Sequence, residues 1–98
     1  MSDVTGKPTL ESRVQRLEHV LHRDLRGEVV LLDTVTGTYL GLDETGSRIW
    51  LLLGEVSSLA GVLEKLLDEY DVDRATCERD LIDLVEDLAD HGLVAVDP

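Results

Sequence analysis

Apolar positions in the middle of this chain change their spacing twice within 26 residues. Glu28–Asp33 reads EVVLLD, a continuous apolar run rich in β-branched residues, bounded by Gly27 and Asp33. Such a run reads as a strand. Thr34–Gly37 follows as a turn in which Gly37 is free to take a positive φ. Thr38–Leu42 is a second, shorter strand, with Tyr39 and Gly41 on one side and Thr38, Leu40 and Leu42 on the other. Asp43 then stands where a helix N-cap belongs, because its carboxylate can accept from the free N–H groups of a first turn. The helix runs to about Leu53, buries Ile49, Trp50, Leu52 and Leu53, and ends at Gly54.

Downstream the period is helical. Ser57 or Ser58 caps a second helix whose Leu59, Val62, Leu63, Leu66, Leu67 and Tyr70 recur at steps of three and four. Asp71–Asp73 interrupts it. A third helix begins near Asp73 or Arg74 and ends near His91, with Gly92 as its C′ residue. Its stripe is Leu81, Leu84, Val85 and Leu88, with Cys77 one turn earlier. Leu93–Val96 reads as a short closing strand or wing. Upstream, Leu10, Val14, Leu17 and Leu21 also fall at helical spacing, so periodicity alone predicts a helix over Leu10–Leu25. Residues 1–12 read as a flexible N-terminal arm and residues 13–98 as one domain. A small sheet followed by three helices is the winged helix-turn-helix class of arrangement.

Ninety-eight residues suit a single domain with one modest core, and with 43% apolar residues and only three aromatics that core is aliphatic and mostly Leu. The formal charge of −12 changes the reading of the fold. Nucleic-acid binding draws its affinity from Lys and Arg neutralising phosphates, so DNA, RNA and anionic membranes are disfavoured partners. The third helix, where a winged-helix regulator would carry its basic recognition surface, is acidic. Cys77 is the only cysteine, which excludes an intramolecular disulfide. No apolar run is long enough to span a bilayer, and no signal-peptide pattern opens the chain. The expectation is a cytoplasmic protein, a monomer or weak dimer.

Catalytic chemistry finds little support. His19 and His22 are three apart, yet no Cys or carboxylate completes a metal-ligand pattern around them. Cys77 lies on a core stripe, where a cysteine serves as a small hydrophobe. The carboxylates Asp80, Asp83, Glu86, Asp87 and Asp90 read as a solvated helix face and do not fit a calcium loop. Gly37, Gly41 and Gly46 do not form a phosphate cradle. No cofactor and no metal are expected, and the chain reads as a binding module rather than an enzyme.

Three segments carry a resemblance: VLLDTVTGTYLGLDETGSRIWLLL at Val30–Leu53, then LLDEYDVD, then DLIDLVEDLADHGL. Together they resemble the PqqD-like proteins, which serve as recognition elements for ribosomally made precursor peptides. The stretch TGTYLGLDETGSRIW is the most specific, since it joins turn, strand, cap and Trp in fixed order. Asp43 stands where the family usually has Asn, and Asp caps a helix equally well. The resemblance implies a first strand around Val20–Asp24, against the periodicity, and hence a three-stranded antiparallel sheet before a three-helix bundle. It also implies a function: the leader segment of a precursor adds as a strand beside Thr38, Tyr39, Leu40, Gly41 and Leu42, in a groove walled by the third helix. A free-standing domain of this size is most similar to the B1 proteins of lasso-peptide clusters, whose partner is a B2-type leader peptidase. The nearest sibling is a PqqD-type chaperone for a radical-SAM enzyme.

On the third helix, a wheel at ~100° per residue sets Leu81 and Leu88 at the core centre and Ala75, Glu78, Ile82 and Ala89 on one flank. Ile82 is more apolar than a solvated flank requires, which selects that flank as the groove wall, with Arg74, Cys77 and Leu81 as the floor near the helix start. Glu78 or Asp80 would pair with a basic leader residue, worth ~0.5–1 kcal/mol if exposed. A winged-helix DNA-binding regulator and a subunit adaptor without a peptide ligand are the competing classes.

Overall fold

The computed structural model describes residues 8–97. Its elements run β1 (Arg13–Arg16), β2 (Val20–Leu25), β3 (Glu28–Asp33), β4 (Thr38–Gly41), α1 (Glu44–Leu53), α2 (Leu59–Glu69), α3 (Arg74–Asp90) and β5 (Val94–Asp97). The strands β2–β3–β4 form an antiparallel sheet in that order, and the three helices follow it in sequence, an α+β fold as the sequence leads one to expect. A separate two-stranded sheet joins β1 to β5.

The helix that periodicity predicts over Leu10–Leu25 does not form. Val14 is buried on β1, Leu17 lies in the turn after it, and Leu21 is exposed on β2. The spacing of three and four comes from two strands and a bend. β1 finds its partner at the far end of the sequence, with Arg13 opposite Asp97 and Arg16 opposite Val94. Of the expected arm, residues 1–7 lie outside the described residues. Residues 10–12 belong to the fold instead: Ala60 N–H donates to Leu10 O (3.1 Å), Leu59 N–H donates to Ser12 O (3.1 Å), and Ser12 is buried.

Two turns set the register of the sheet. Arg26 (φ 61°) and Gly27 (φ 91°) form the two-residue link between β2 and β3; two consecutive positive φ angles match the right-handed twist of a hairpin. Between β3 and β4, Gly37 takes φ 76°, and the buried Asp33 carboxylate accepts from the Val35 and Thr36 N–H groups at 2.9 and 3.2 Å. His19 Nε2 lies 3.6 Å from the same oxygen. Burial acts to raise the Asp33 pKa, but those two amides and His19 outweigh it and hold the carboxyl below its ordinary value.

The core lies between one face of the three-stranded sheet and the helices. Val29, Leu31 and Leu42 from the sheet meet Ile49, Trp50, Leu52 and Leu53 of α1, Leu59, Val62, Leu63 and Leu66 of α2, and Leu81, Val85 and Leu88 of α3. Asp43, Ser58 and Asp73 cap the three helices, accepting from the N–H groups of Gly46, Gly61 and Thr76. Gly54 ends α1 with an ordinary negative φ, so conformation does not demand a glycine there. A side chain at Gly54 would displace the Arg16 guanidinium, the mobile end of a long side chain, from its place over the Trp50 ring at 5.3 Å.

One buried hydroxyl ties the sheet to the helices. Ser47 Oγ accepts from Val29 N–H at 2.6 Å and donates to Leu42 O at 3.3 Å, while Leu42 N–H donates to Val29 O at 2.9 Å. The hydroxyl therefore stands in for the ladder bond that is lost where the chain leaves β4 for α1. The Arg48–Glu69 pair between α1 and α2 is bidentate at 2.7 and 2.5 Å but about a third exposed, so it contributes under ~1 kcal/mol. Losing the Ser47 bridge orphans buried groups and costs about 1–3 kcal/mol.

Ser47→Ala is expected to lower the melting temperature by roughly 5–15 °C, more than Arg48→Ala, as read by circular dichroism. Asp33 supplies a second prediction. Its folded-state pKa lies below the ordinary 3.8, so its stabilisation is complete at neutral pH and is lost as pH falls from the ordinary value through the lower folded one. Urea denaturation across acid pH should show a shallower loss of stability in Asp33→Asn, which keeps an acceptor oxygen but no titrating proton.

Candidate functional site

β4 is paired on one side only. Its partner β3 sets Leu31 opposite Leu40 and Val30 opposite Gly41. The Leu42–Val29 bond fixes the phase of the ladder: residues 38, 40 and 42 direct their backbone groups at β3, so those of Tyr39 and Gly41 point away from it. An unpaired row of this kind is a template for another extended chain. Tyr39 is exposed and a Cβ at Gly41 would meet nothing within 4 Å, so the approach to the edge is open. The Asp43 cap and the Ser47 bridge hold the strand's C-terminal end rigidly against α1.

The neighbouring wall comes from α3. A Cβ at Gly46, in the first turn of α1, would lie 3.6 Å from Leu84 Cδ2 and 3.5 Å from Leu42 Cβ, so Leu84 sits at the corner where β4 enters α1. One turn earlier on α3, Cys77, Asp80 and Leu81 line a hollow of about 150 Å³ with Thr45 and Ile49 of α1 and with Leu66, Tyr70, Val72 and Thr76. Apolar side chains of all three helices and the Asp80 carboxylate thus line the hollow, which opens past the α1 start rather than on β4 itself. This is a lining suited to an extended peptide with alternating apolar residues.

The expected site residues divide. Thr38, Tyr39, Leu40, Gly41 and Leu42 lie on the free-edge strand and its exit, with Leu40 half-buried and Leu42 buried on its core side. Cys77 and Leu81 reach the hollow, although Leu81 is fully buried and belongs to its floor. Arg74 is held by Glu64 of α2 at 3.0 Å. Ala75, Glu78 and Ile82 line a different, shallow depression with Arg79 and Asp83, formed by α3 alone. The flank that meets the β4–α1 corner is the opposite one, bearing Cys77, Asp80 and Leu84. Asp80, expected as a partner for a basic leader residue, lies at the hollow, while Thr45, Tyr70, Val72, Thr76 and Leu84 were not among the expected site residues. Leu84 and Cys77 carry the signal that could have found them, being seven residues apart at the edge of the apolar stripe.

Among the described residues, Cys77, His19 and His22 stand apart from one another. Burial, and then the charge of Asp80, push the Cys77 thiol above its ordinary pKa, so it remains protonated near neutrality and acts as a small apolar wall. His22 stands edge-on to Trp50 with ring centroids 6.2 Å apart, and His19 faces Asp33, so the two do not share a ligand. Among the described residues, no group of three or more His, Cys, Asp or Glu side chains is placed to hold a metal ion.

Comparison with known proteins places the fold. The family model described as coenzyme PQQ synthesis protein D (PqqD) matches residues 28–94, from β3 through the start of β5. The structure described as TbiB1 in complex with the TbiA(beta) leader peptide superposes with a TM-score of 0.78 at 44% identity, covering 82% of this chain and 93% of that one. A lasso peptide synthetase B1 complexed with the leader peptide superposes at 0.76 and 30% identity, covering 85% and 98%. No curated protein matches the chain. The shared segment holds the hairpin, the Asp43-capped helix with Trp50 and the whole of α3, and on that match this chain belongs to the PqqD family.

Proposed function

We propose that this chain binds the leader segment of a ribosomally made precursor peptide as a fourth strand along β4 and presents it to a leader peptidase during lasso-peptide biosynthesis in the cytoplasm. The observation that carries the reading is the free backbone of Tyr39 and Gly41, held open beside the Cys77–Asp80–Leu84 face of α3. Both solved relatives are complexes with a leader peptide. In this reading the chain is a recognition partner and the chemistry belongs to the enzyme it serves. Backbone pairing supplies affinity with little demand on sequence, and the α3 wall selects side chains. Asp80 favours a basic residue at the hollow. The acidic α3, with two arginines against six carboxylates, argues against use of the same helix as a DNA-recognition element.

A second reading, a chaperone for a radical-SAM enzyme, is favoured by the family model alone. Titrating a lasso-precursor leader peptide, alone and with each type of enzyme partner, separates the two.

Variants test the site. Tyr39→Pro removes one outward amide on an exposed edge position, where proline is tolerated by a sheet; leader affinity should fall about tenfold or more while the melting temperature changes little. Leu84→Ala should weaken the leader several-fold, since it removes apolar wall, and Ile82→Ala should leave affinity within about twofold because it lies on the other flank. Fluorescence anisotropy of a labelled leader reads all three. Equal affinity for Tyr39→Pro and the unaltered chain would overturn strand addition at β4.

A further inference from the structure

Trp50 is buried in the core at 1% exposure, and its indole N–H has no acceptor. Among the described residues it is the one buried side-chain donor left in that state. A buried tryptophan N–H ordinarily finds a partner, so a missing one calls for a reason. Beside the ring lies a hollow of about 500 Å³, set between the β1–β2 turn and α1. Trp50 is its deepest residue, Leu17, Val20 and Leu21 are its apolar sides, and Arg16, Glu18 and His22 are its polar rim. The volume is ordinary for a small-molecule site. The hollow lies at the β2 edge of the sheet, the opposite edge from β4.

The donors say what the hollow would take. An indole N–H only donates, and so does a guanidinium. Arg16 holds its guanidinium over the Trp50 ring at 5.3 Å and, among the described residues, has no carboxylate within 4 Å. His22 stands edge-on to the same ring at 6.2 Å and has a ring N–H to offer. Three donors thus meet at one ring, an arrangement that calls for an acceptor. Charge sets the kind of acceptor. Arg16 is the only permanent cation of the hollow, and Glu18 stands on the rim. Beyond Arg16, an adjoining hollow at the end of α1 adds Arg13, Glu55 and Asp97, which nearly cancel. A dianion such as a phosphate ester would meet Glu18 with one arginine to balance it. A neutral carbonyl would forgo the stronger bond that a charged acceptor makes with a guanidinium. A monoanion matches Arg16 one to one.

We propose that this hollow binds a carboxylate carried on an apolar body, with the Trp50 indole and the Arg16 guanidinium donating to its oxygens and Leu17, Val20 and Leu21 holding the body. Trp50 Nε1 is covered from solvent, so entry turns the Arg16 arm off the ring. That arm rests on the ring face and against the bare backbone of Gly54, where a Cβ would collide with it. Neither seat is an ion pair, and the guanidinium is free to follow the carboxylate. The carboxylate of a free organic acid and that of a peptide chain end offer the same chemistry here. The site does not depend on strand addition at β4.

Trp50 is the only tryptophan, so its indole N–H gives a single signal in a nitrogen–proton correlation spectrum. The full chain is titrated with phenylacetate, with N-acetylleucine as the mimic of a chain end, and with phenylacetamide as the neutral counterpart. The expected result is a saturable downfield shift of the indole N–H with an acid and none with the amide. Arg16→Gln should weaken the acid about tenfold. Glu18→Gln, at an exposed rim position, should tighten it about twofold. Tighter binding of N-acetylleucine assigns the site to a chain end, and tighter binding of phenylacetate to a free acid. An indole signal that neither acid moves at up to about 50 mM overturns the proposal. So does an equal shift with the amide, or an acid affinity that both variants leave unchanged.

Discussion

The Ser47 hydroxyl is the interaction on which the candidate site depends. A strand that must leave its sheet and begin a helix loses a ladder bond at the point of departure. Here the loss falls between Val29 and Leu42, in the buried core, where an unpaired amide and carbonyl are costly. Ser47 Oγ fills the gap by accepting from one and donating to the other. Because Ser47 sits one position past the Gly46 amide that Asp43 caps, helix start and strand end are fixed by the same turn. The consequence is a short edge strand whose inner side is locked and whose outer side has no competing partner.

In the proposed reading, that division lets a recognition module be specific. Backbone bonds at Tyr39 and Gly41 accept almost any extended sequence, so discrimination has to come from elsewhere. On that same reading it comes from α3, a long helix seated on Leu81, Val85 and Leu88, which carries Leu84 to the β4–α1 corner and Cys77 and Asp80 to the hollow one turn away. The same rigid core therefore sets both the strand and the wall. The raised pKa of Cys77 fits this role, since a protonated thiol is packing material rather than a nucleophile.

Much of the architecture was legible in the sequence because its signals are local. The hairpin turn at Gly37, the caps Asp43, Ser58 and Asp73, the stop at Gly92 and the stripes of all three helices each depend on residues within one or two turns of one another. What escaped was non-local. β1 exists because β5 lies beside it, and Val14, Leu17 and Leu21 mimic a helix only because a bend between two strands has nearly the same spacing. The Arg26–Gly27 turn was hidden by an arginine in a positive-φ position where Asn or Asp is usual. In the site, β4 was legible as a strand and its partner helix as α3. The flank of α3 was not: a helical wheel centred on Leu81 and Leu88 has two equivalent sides, and it is Leu84, on the side away from Ile82, that packs beside the start of α1.

The central claim is that a peptide pairs with the outward backbone of β4. Amide hydrogen exchange, resolved by residue and followed with and without the leader peptide, reads that pairing directly. The account predicts that the Tyr39 and Gly41 amides, unprotected in the free chain, become strongly protected on binding, while the β2 edge exchanges as before. Binding that leaves Tyr39 and Gly41 exchanging freely would contradict it.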